Sequence, residues 1–291
     1  MIIKQSTSVS ERKSTILLWE IIVKRSMRIS AMLQEMTGKP SQIFKFKYFC
    51  DKYDIAKSTV SEDIAMAKDA LKTSAQGELI TISGSLGGVK YVPTISEKMS
   101  QIVQEEFCER LTDSTRILGG GFLYTSDIMY DLSFVRNLGR IFVTKFKDFE
   151  ADYVATVETK GIPLASTIAY MLNLPLVIIR REPKFSEGST VSINYFSGPD
   201  QRVQKMSIAK RAVKPGSKAI VIDDFMRGGG SIKGIREILS EFEIETVATG
   251  IAIISAKPEK KKVDSFVHLV TLEEVDDFEK TISVSPNGNI F

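Results

Sequence analysis

AIVIDDFMRGGGSI (Ala219–Ile232) opens with four apolar residues, meets two aspartates, and passes through Phe225, Met226 and Arg227 into three glycines. A short apolar run bounded by turn signals fits a strand buried on both faces. Its carboxyl end, where Asp223 and Asp224 sit, is where open α/β sheets bind ligands. Gly228, Gly229 and Gly230 let the backbone come close to whatever lies there. The spacing of Ile232, Ile235, Ile238, Leu239 and Phe242 predicts a helix starting near Ser231. The free N–H groups at its start would favour a phosphate. Two adjacent carboxylates are acceptors with no donor of their own, so they suit the vicinal hydroxyls of a sugar or a metal. The stretch reads as a phosphate site, and what it does with the phosphate must come from the rest of the chain.

Outward from this stretch, ADYVATVETKGIPLASTIAYMLNLPLVIIRR (Ala151–Arg181) reads strand, loop, helix, strand, and TVATGIAIIS (Thr246–Ser255) adds a further strand. Strands alternating with helices from Ile117 onward predict an α/β fold with a mostly parallel sheet covered on both sides. Pro93–Ser114 reads as a linker and a helix.

The front of the chain has a different texture. Ile29, Met32, Leu33 and Met36 predict a helix over Ser26–Glu35, stopped by TGKP (Thr37–Pro40). A second helix fits Ile43–Tyr53. A third fits Asp54–Leu71, with Ser58 as its N-cap and Val60, Ile64, Met66 or Ala67 and Leu71 as its buried stripe. LITISG and GVKYVP then form two strands around GSLG. Three helices followed by a hairpin is the winged helix-turn-helix pattern. Lys57, Ser58, Thr59 and Ser61 cluster at the start of its third, recognition helix, the end that reaches base edges and phosphates. Lys90 on the hairpin is expected to touch backbone phosphate.

Composition limits the alternatives. The net charge is only +3 over 291 residues, but Lys24–Tyr91 carries eleven Lys/Arg against seven Asp/Glu. The basic excess therefore sits where a nucleic-acid module would use it. With one histidine, His268, a histidine dyad or multi-histidine metal site is nearly excluded by counting. Two distant cysteines, Cys50 and Cys108, make no disulfide framework and suit a reducing compartment. ILLWEIIV (Ile16–Val23) is too short to span a bilayer and is broken by Glu20. No membrane segment and a cytoplasmic location are expected.

IVIDDFMRGGGS resembles the signature of type I phosphoribosyltransferases, which bind 5-phosphoribosyl-1-pyrophosphate (PRPP). The resemblance implies that Asp223 and Asp224 hold the ribose hydroxyls and that Phe225, Met226, Arg227, Gly228, Gly229, Gly230 and Ser231 wrap the 5-phosphate. ETKG (Glu158–Gly161) matches the family's pyrophosphate loop, which assigns Thr159, Lys160 and Gly161 to PRPP. REPKFSEGSTVSINYFSG (Arg181–Gly198) fills the place of the family's flexible loop, and its Arg181, Lys184 and Tyr195 are expected at the pyrophosphate.

KSTVSED, GGVKY, ETKGIPLA, EGSTVSINY and IDDFMRGGG occur in this order in one chain. That is similar to the purine operon repressors of Gram-positive bacteria, a winged-helix domain fused to a phosphoribosyltransferase-like domain. On this resemblance residues 23–95 form the DNA-binding domain and 96–291 the effector-binding domain. Residues 1–22 lie outside it and are expected to be an upstream extension rather than part of the functional module. The family implies a homodimeric repressor of purine biosynthesis and transport genes that binds double-stranded operator DNA. PRPP acts as an effector that releases it, and whether Mg2+ accompanies PRPP is left open.

Met226 and Arg227 stand where transferases place small hydroxyl residues, and no aromatic-rich lid for a purine base is evident late in the chain. Both features favour sensing over catalysis, with no catalytic residue and no metal site. The alternatives are a purine salvage phosphoribosyltransferase with a DNA-binding appendage and an RNA-binding attenuator. A winged helix favours duplex DNA over RNA.

Overall fold

The computed structural model describes residues 24–84, 87–183, 185–197 and 202–291. The apolar run Ile16–Val23, the extension at residues 1–22 and Lys184 lie outside the described residues.

The front of the chain folds as three helices and a hairpin: α1 (Arg25–Gly38), α2 (Phe46–Tyr53), α3 (Lys57–Ser74), β1 (Glu78–Ile82) and β2 (Gly88–Val92). Met32, Met36, Phe49, Val60, Ile64, Ala67 and Leu71 meet Leu79, Val89 and Tyr91 in one small core. Of the two residues left open for the α3 stripe, Ala67 is buried and Met66 faces out. The second helix begins three residues later than its apolar spacing suggests, because Phe44 is used otherwise. Its backbone exchanges hydrogen bonds with Val89 at 2.8 and 2.9 Å, adding a one-residue third strand to the wing.

Ser58 is not an N-cap. Ala56 holds that position without a side-chain hydrogen bond, and Ser58 is the exposed second residue of α3. Beside its buried apolar stripe, an ion-pair set orients α3. Asp63, fully buried on its inner face, accepts from Arg28 Nε at 2.6 Å and Arg25 Nε at 2.8 Å, both on α1.

The rest of the chain is built on a six-stranded sheet in the order β12-β11-β10-β9-β5-β6. Its strands are β5 (Tyr153–Val157), β6 (Leu176–Ile179), β9 (Lys218–Met226), β10 (Glu245–Ser255), β11 (Val267–Asp276) and β12 (Thr281–Pro286). All neighbours run parallel except β12, which closes the edge antiparallel to β11. The apolar run at the start of β9 alternates between two cores. Ile220 and Ile222 point into the one covered by α4 (Glu97–Leu111), α5 (Ser126–Tyr130), α6 (Leu132–Phe146) and α7 (Ile162–Leu172). Ala219 and Val221 point into the other, under α8 (Gly230–Ser240). Burial on both faces is what the unbroken apolar run required.

Two small ribbons complete the domain. A short hairpin, β3 (Ile117–Gly119) and β4 (Phe122–Leu123), precedes the sheet. A longer one, β7 (Thr190–Ser197) paired antiparallel with β8 (Arg202–Ala209), replaces most of the expected flexible loop. Its inner residues Tyr195, Met206 and Ile208 are buried against the α8 side of the sheet. Among the described residues no helix is long and apolar enough to cross a membrane.

Candidate functional site

The loops after β5 and β9 open side by side, because these strands are paired neighbours. Between them lies a cavity of about 1090 Å³ at the carboxyl ends of the parallel strands. Thr159, Lys160, Arg181, Asp223, Asp224, Phe225, Met226, Arg227, Gly228, Gly229, Gly230 and Ser231 all line it. A single space thus gathers most of the residues that the sequence assigns to PRPP.

The two acids differ. Asp223 is 4% exposed and accepts a 3.0 Å hydrogen bond from the Asp224 backbone N–H. Burial first, and then the Asp224 carboxylate, hold Asp223 well above the usual carboxylate range. Burial also raises Asp224, opposed by its hydrogen bonding with Asp223 and by the Lys160 ammonium. Gly161 does not line the cavity but lets the two loops meet. A β-carbon there would come to 2.6 Å from Thr156 Oγ1 and 2.9 Å from Asp223 Oδ1, so only glycine fits.

The loop after β9 turns through Gly229, whose φ of +83° is strained for any other residue, and leads directly into α8. Lys262 N–H donates to Gly228 O at 2.8 Å, tying this loop to the one after β10. Met226 is buried beneath the loop. Arg227 extends instead over the Phe122 ring, with its guanidinium carbon 5.8 Å from the ring centre. This cation–π contact joins the loop after β9 to the β3–β4 hairpin.

On the other side, Glu158 orients two consecutive arginines differently. Its carboxylate accepts from Arg180 Nη1 at 3.2 Å and from the Arg181 backbone N–H at 2.7 Å. Arg180 is engaged further by Glu187 at 2.9 Å, whereas the Arg181 side chain reaches the cavity. Tyr195 does not. It is 3% exposed, and its hydroxyl accepts from Arg181 Nη1 at 3.2 Å, with Gln204 Oε1 accepting from the same nitrogen at 2.6 Å. Its place is behind Arg181, holding it. This follows from the β7–β8 pairing, which turns Tyr195 inward.

Sequence reading missed two groups at the cavity. Lys257, Lys260 and Lys262 line it from the loop after β10, and Lys261 Nζ pins that loop by donating to Pro258 O at 2.7 Å. The run KPEKKK directly after an apolar strand was the available signal. Phe122 and Tyr130 also line the cavity, from segments before the first sheet strand. A search for aromatics late in the chain could not find them. Among the described residues no three His, Cys, Asp or Glu side chains converge as a metal cage. Of the residues lining the cavity, Glu158, Asp223 and Asp224 carry carboxylates.

On the winged domain, Lys57, Ser58 and Ser61 are exposed at the start of α3 and Thr59 is half-buried. Glu62 follows, paired with Arg25 at 3.0 Å. Lys90 is placed otherwise than expected. It lines a cleft of about 460 Å³ together with Ser41, Lys147, Glu150, Asp152 and Lys218, most of them from the sheet domain. Val89 and Tyr91 are buried in the winged core, so the alternation of β2 turns Lys90 to the opposite face, which here abuts the second domain.

Residues 24–93 match the family described as "Bacterial purine repressor, N-terminal", and residues 127–287 match "Phosphoribosyl transferase domain". The chain is 40% identical over 270 residues to the purine biosynthesis transcriptional repressor PurR of Bacillus subtilis, covering 91% of this chain and 93% of that one. It is 35% identical to the purine biosynthesis transcriptional activator PurR of Lactococcus lactis subsp. lactis, covering 92% of this chain and 99% of the other. In solved structures it resembles adenine phosphoribosyltransferase from Thermoanaerobacter pseudethanolicus, with a TM-score of 0.49, 17% identity, and coverage of 57% of this chain and 98% of that one. Matched at both domains and along nine-tenths of its length, the chain belongs to the PurR family of bacterial purine-biosynthesis transcriptional regulators.

Proposed function

We propose that this protein is a repressor of purine biosynthesis and transport genes that grips duplex operator DNA with α3 and is released when PRPP fills the cavity. One observation carries the reading: an acid pair, Asp223 buried and Asp224 half-buried, and a glycine-rich helix start share a cavity in the same chain as a winged helix whose recognition helix begins with exposed Lys57, Ser58 and Ser61. In the bound state Asp223 and Asp224 accept from the ribose hydroxyls. The turn from Phe225 to Ser231 and the first N–H groups of α8 hold the 5-phosphate. Thr159, Lys160 and Arg181 face the pyrophosphate, and the lysines at 257, 260 and 262 add positive charge around it. A Mg2+ ion carried by PRPP would meet the same two aspartates.

The site holds its ligand without transferring it. Arg227 lies against Phe122, bridging the phosphate loop and the hairpin above it, and this favours retention over repeated release. Catalysis requires tighter binding of the transition state than of the ground state, whereas a signal receptor requires only the ground state. The protein acts as a homodimer. Leu118, Phe122, Tyr124, Tyr130 and Leu132, large and exposed within one short segment, offer apolar area for a second copy.

Two measurements test the proposal together. Binding of the full chain to a duplex selected from a random-sequence pool is expected to weaken as PRPP is added. Incubation with PRPP and each purine base is expected to yield no nucleotide. Steady nucleotide formation would establish the salvage-transferase reading instead.

A further inference from the structure

Helix α7 spans the distance between the cavity and the winged domain. It starts immediately after Thr159, Lys160 and Gly161 and runs for eleven residues, about 16 Å at 1.5 Å per residue. Its last turn holds the winged domain at the end of α1. Tyr170 Oη donates to Gly38 O at 3.0 Å, and Ser41 Oγ donates to Met171 O at 2.7 Å.

Along its side α7 packs on α6 through Gly139. A β-carbon there would lie 3.2 Å from Thr167 Cγ2 and 3.6 Å from both Ile168 and Met171, so the two helices touch almost backbone to side chain. Tight contacts of this kind transmit displacement rather than absorbing it.

The next residue on α6 is Arg140, only 7% exposed. Its Nη2 donates to two carbonyls at once: Ala75 O at 2.8 Å and Thr94 O at 2.7 Å. Ala75 is the left-handed residue that ends α3, the recognition helix. Thr94 lies in the connection between β2 and α4, where the two domains join. A guanidinium at the carbonyl end of a helix is favourably placed against its dipole. Yet Nε of the same side chain, also buried, has no hydrogen-bond partner among the described residues. A fixed joint would be served as well by apolar packing, which buries no incompletely paired cation.

We infer that Arg140 is a positioning residue that couples the cavity to the recognition helix, through the chain of contacts from the Thr159–Gly161 loop along α7, across Gly139 to α6, and onto the α3 terminus. This rests on the reading of the cavity as an effector site. Phosphate seated on the loop draws the start of α7. Its far end moves the α1 terminus through Tyr170 and Ser41, and Arg140 carries α6 motion to the end of α3 and to the domain connection. The recognition helix is thus reached directly at its carboxyl end by Arg140, and its neighbour α1 is held at its own end by the last turn of α7.

The test measures coupling as a ratio: the operator-duplex Kd of the full chain with saturating PRPP divided by that without it. Coupled sites typically show about 5–150-fold. Arg140→Met is expected to leave PRPP binding and duplex binding intact separately while bringing the ratio near one. Arg140→Lys, whose ammonium can still serve both carbonyls, restores most of the ratio. By reciprocity the PRPP affinity of Arg140→Met is then the same with and without duplex. Tyr170→Phe, which removes one hydrogen bond at an exposed position, is expected to cut the ratio at least about twofold and serves also if Arg140→Met does not fold. A wild-type ratio in folded Arg140→Met or Tyr170→Phe overturns the inference and leaves the effector reading standing. A wild-type protein whose duplex affinity is indifferent to PRPP overturns both.

Discussion

Asp223 concentrates the cost of the site in one side chain. It is buried beside Asp224 with its pKa raised well above the carboxylate range. In the folded state it therefore keeps its proton to higher pH than in the unfolded chain, where its pKa is about 3.9. The folded protein binds the extra proton, so this group's contribution to stability falls as pH rises through the unfolded value and levels off above the folded one. Asp223→Asn removes that penalty. Without ligand it is expected to be more stable than wild type at neutral pH by about 1 kcal/mol, or roughly 2 °C in Tm. The difference should shrink toward pH 4 in a thermal scan. The same variant loses PRPP binding by calorimetry, because one amide cannot replace two carboxylate acceptors. A variant less stable than wild type at pH 7 would show that the carboxylate is satisfied in a way its surroundings do not reveal.

Sequence reading reached this residue because three signals coincide at one place: an apolar run, a pair of acids and a glycine turn. Tyr195 and Lys90 lie elsewhere than expected, Tyr195 in a ribbon with Arg181 and Gln204 and Lys90 beside residues far along the chain. Tyr195 belongs to a ribbon whose alternation, Val191, Ile193, Tyr195 on one strand and Met206, Ile208 on the other, was present in the sequence. The family's flexible loop was expected there instead. Lys90 alternates as expected for β2, but which face meets a second domain is set by long-range packing.

Among the elements, α3 is fixed from below by ion pairs rather than by a cap. Asp63→Ala would leave Arg28, itself nearly buried, without its carboxylate. Breaking one side of a buried pair costs about 3–5 kcal/mol, and urea unfolding should show a loss in that range together with loss of duplex binding. The α8–ribbon contact is tight in a different way. A β-carbon at Gly234 would sit 2.9 Å from Tyr195 Cγ. Gly234→Ala is expected to lose about 1–3 kcal/mol by overpacking. It should also weaken PRPP binding, since Tyr195 and Gln204 hold Arg181 in place.

For the whole molecule, the position of the two domains decides which cations can face DNA. Lys57 is exposed at the start of α3, while Lys90 faces the sheet domain across a cleft. Lys57→Ala is expected to flatten the plot of log affinity against log salt by about 0.9, the value of one lost phosphate contact on duplex DNA. Lys90→Ala should leave that slope unchanged. A flattened slope for Lys90→Ala would mean that this lysine leaves the cleft and meets the duplex.

The union of the domains has a consequence for building hybrids. The winged domain is contiguous in sequence, but its seat is assembled from residues far downstream: Thr144 Oγ1 accepts from Ile95 N–H at 2.9 Å, and Lys147 Nζ reaches Glu78 Oε1 at 2.5 Å. Cutting the chain after Val92 and grafting the front onto another sensor therefore transfers a reading head without its mount. A working chimera has to carry the outer surfaces of α6 and α7 with it, so the smallest portable unit of this regulator is larger than the domain that reads DNA.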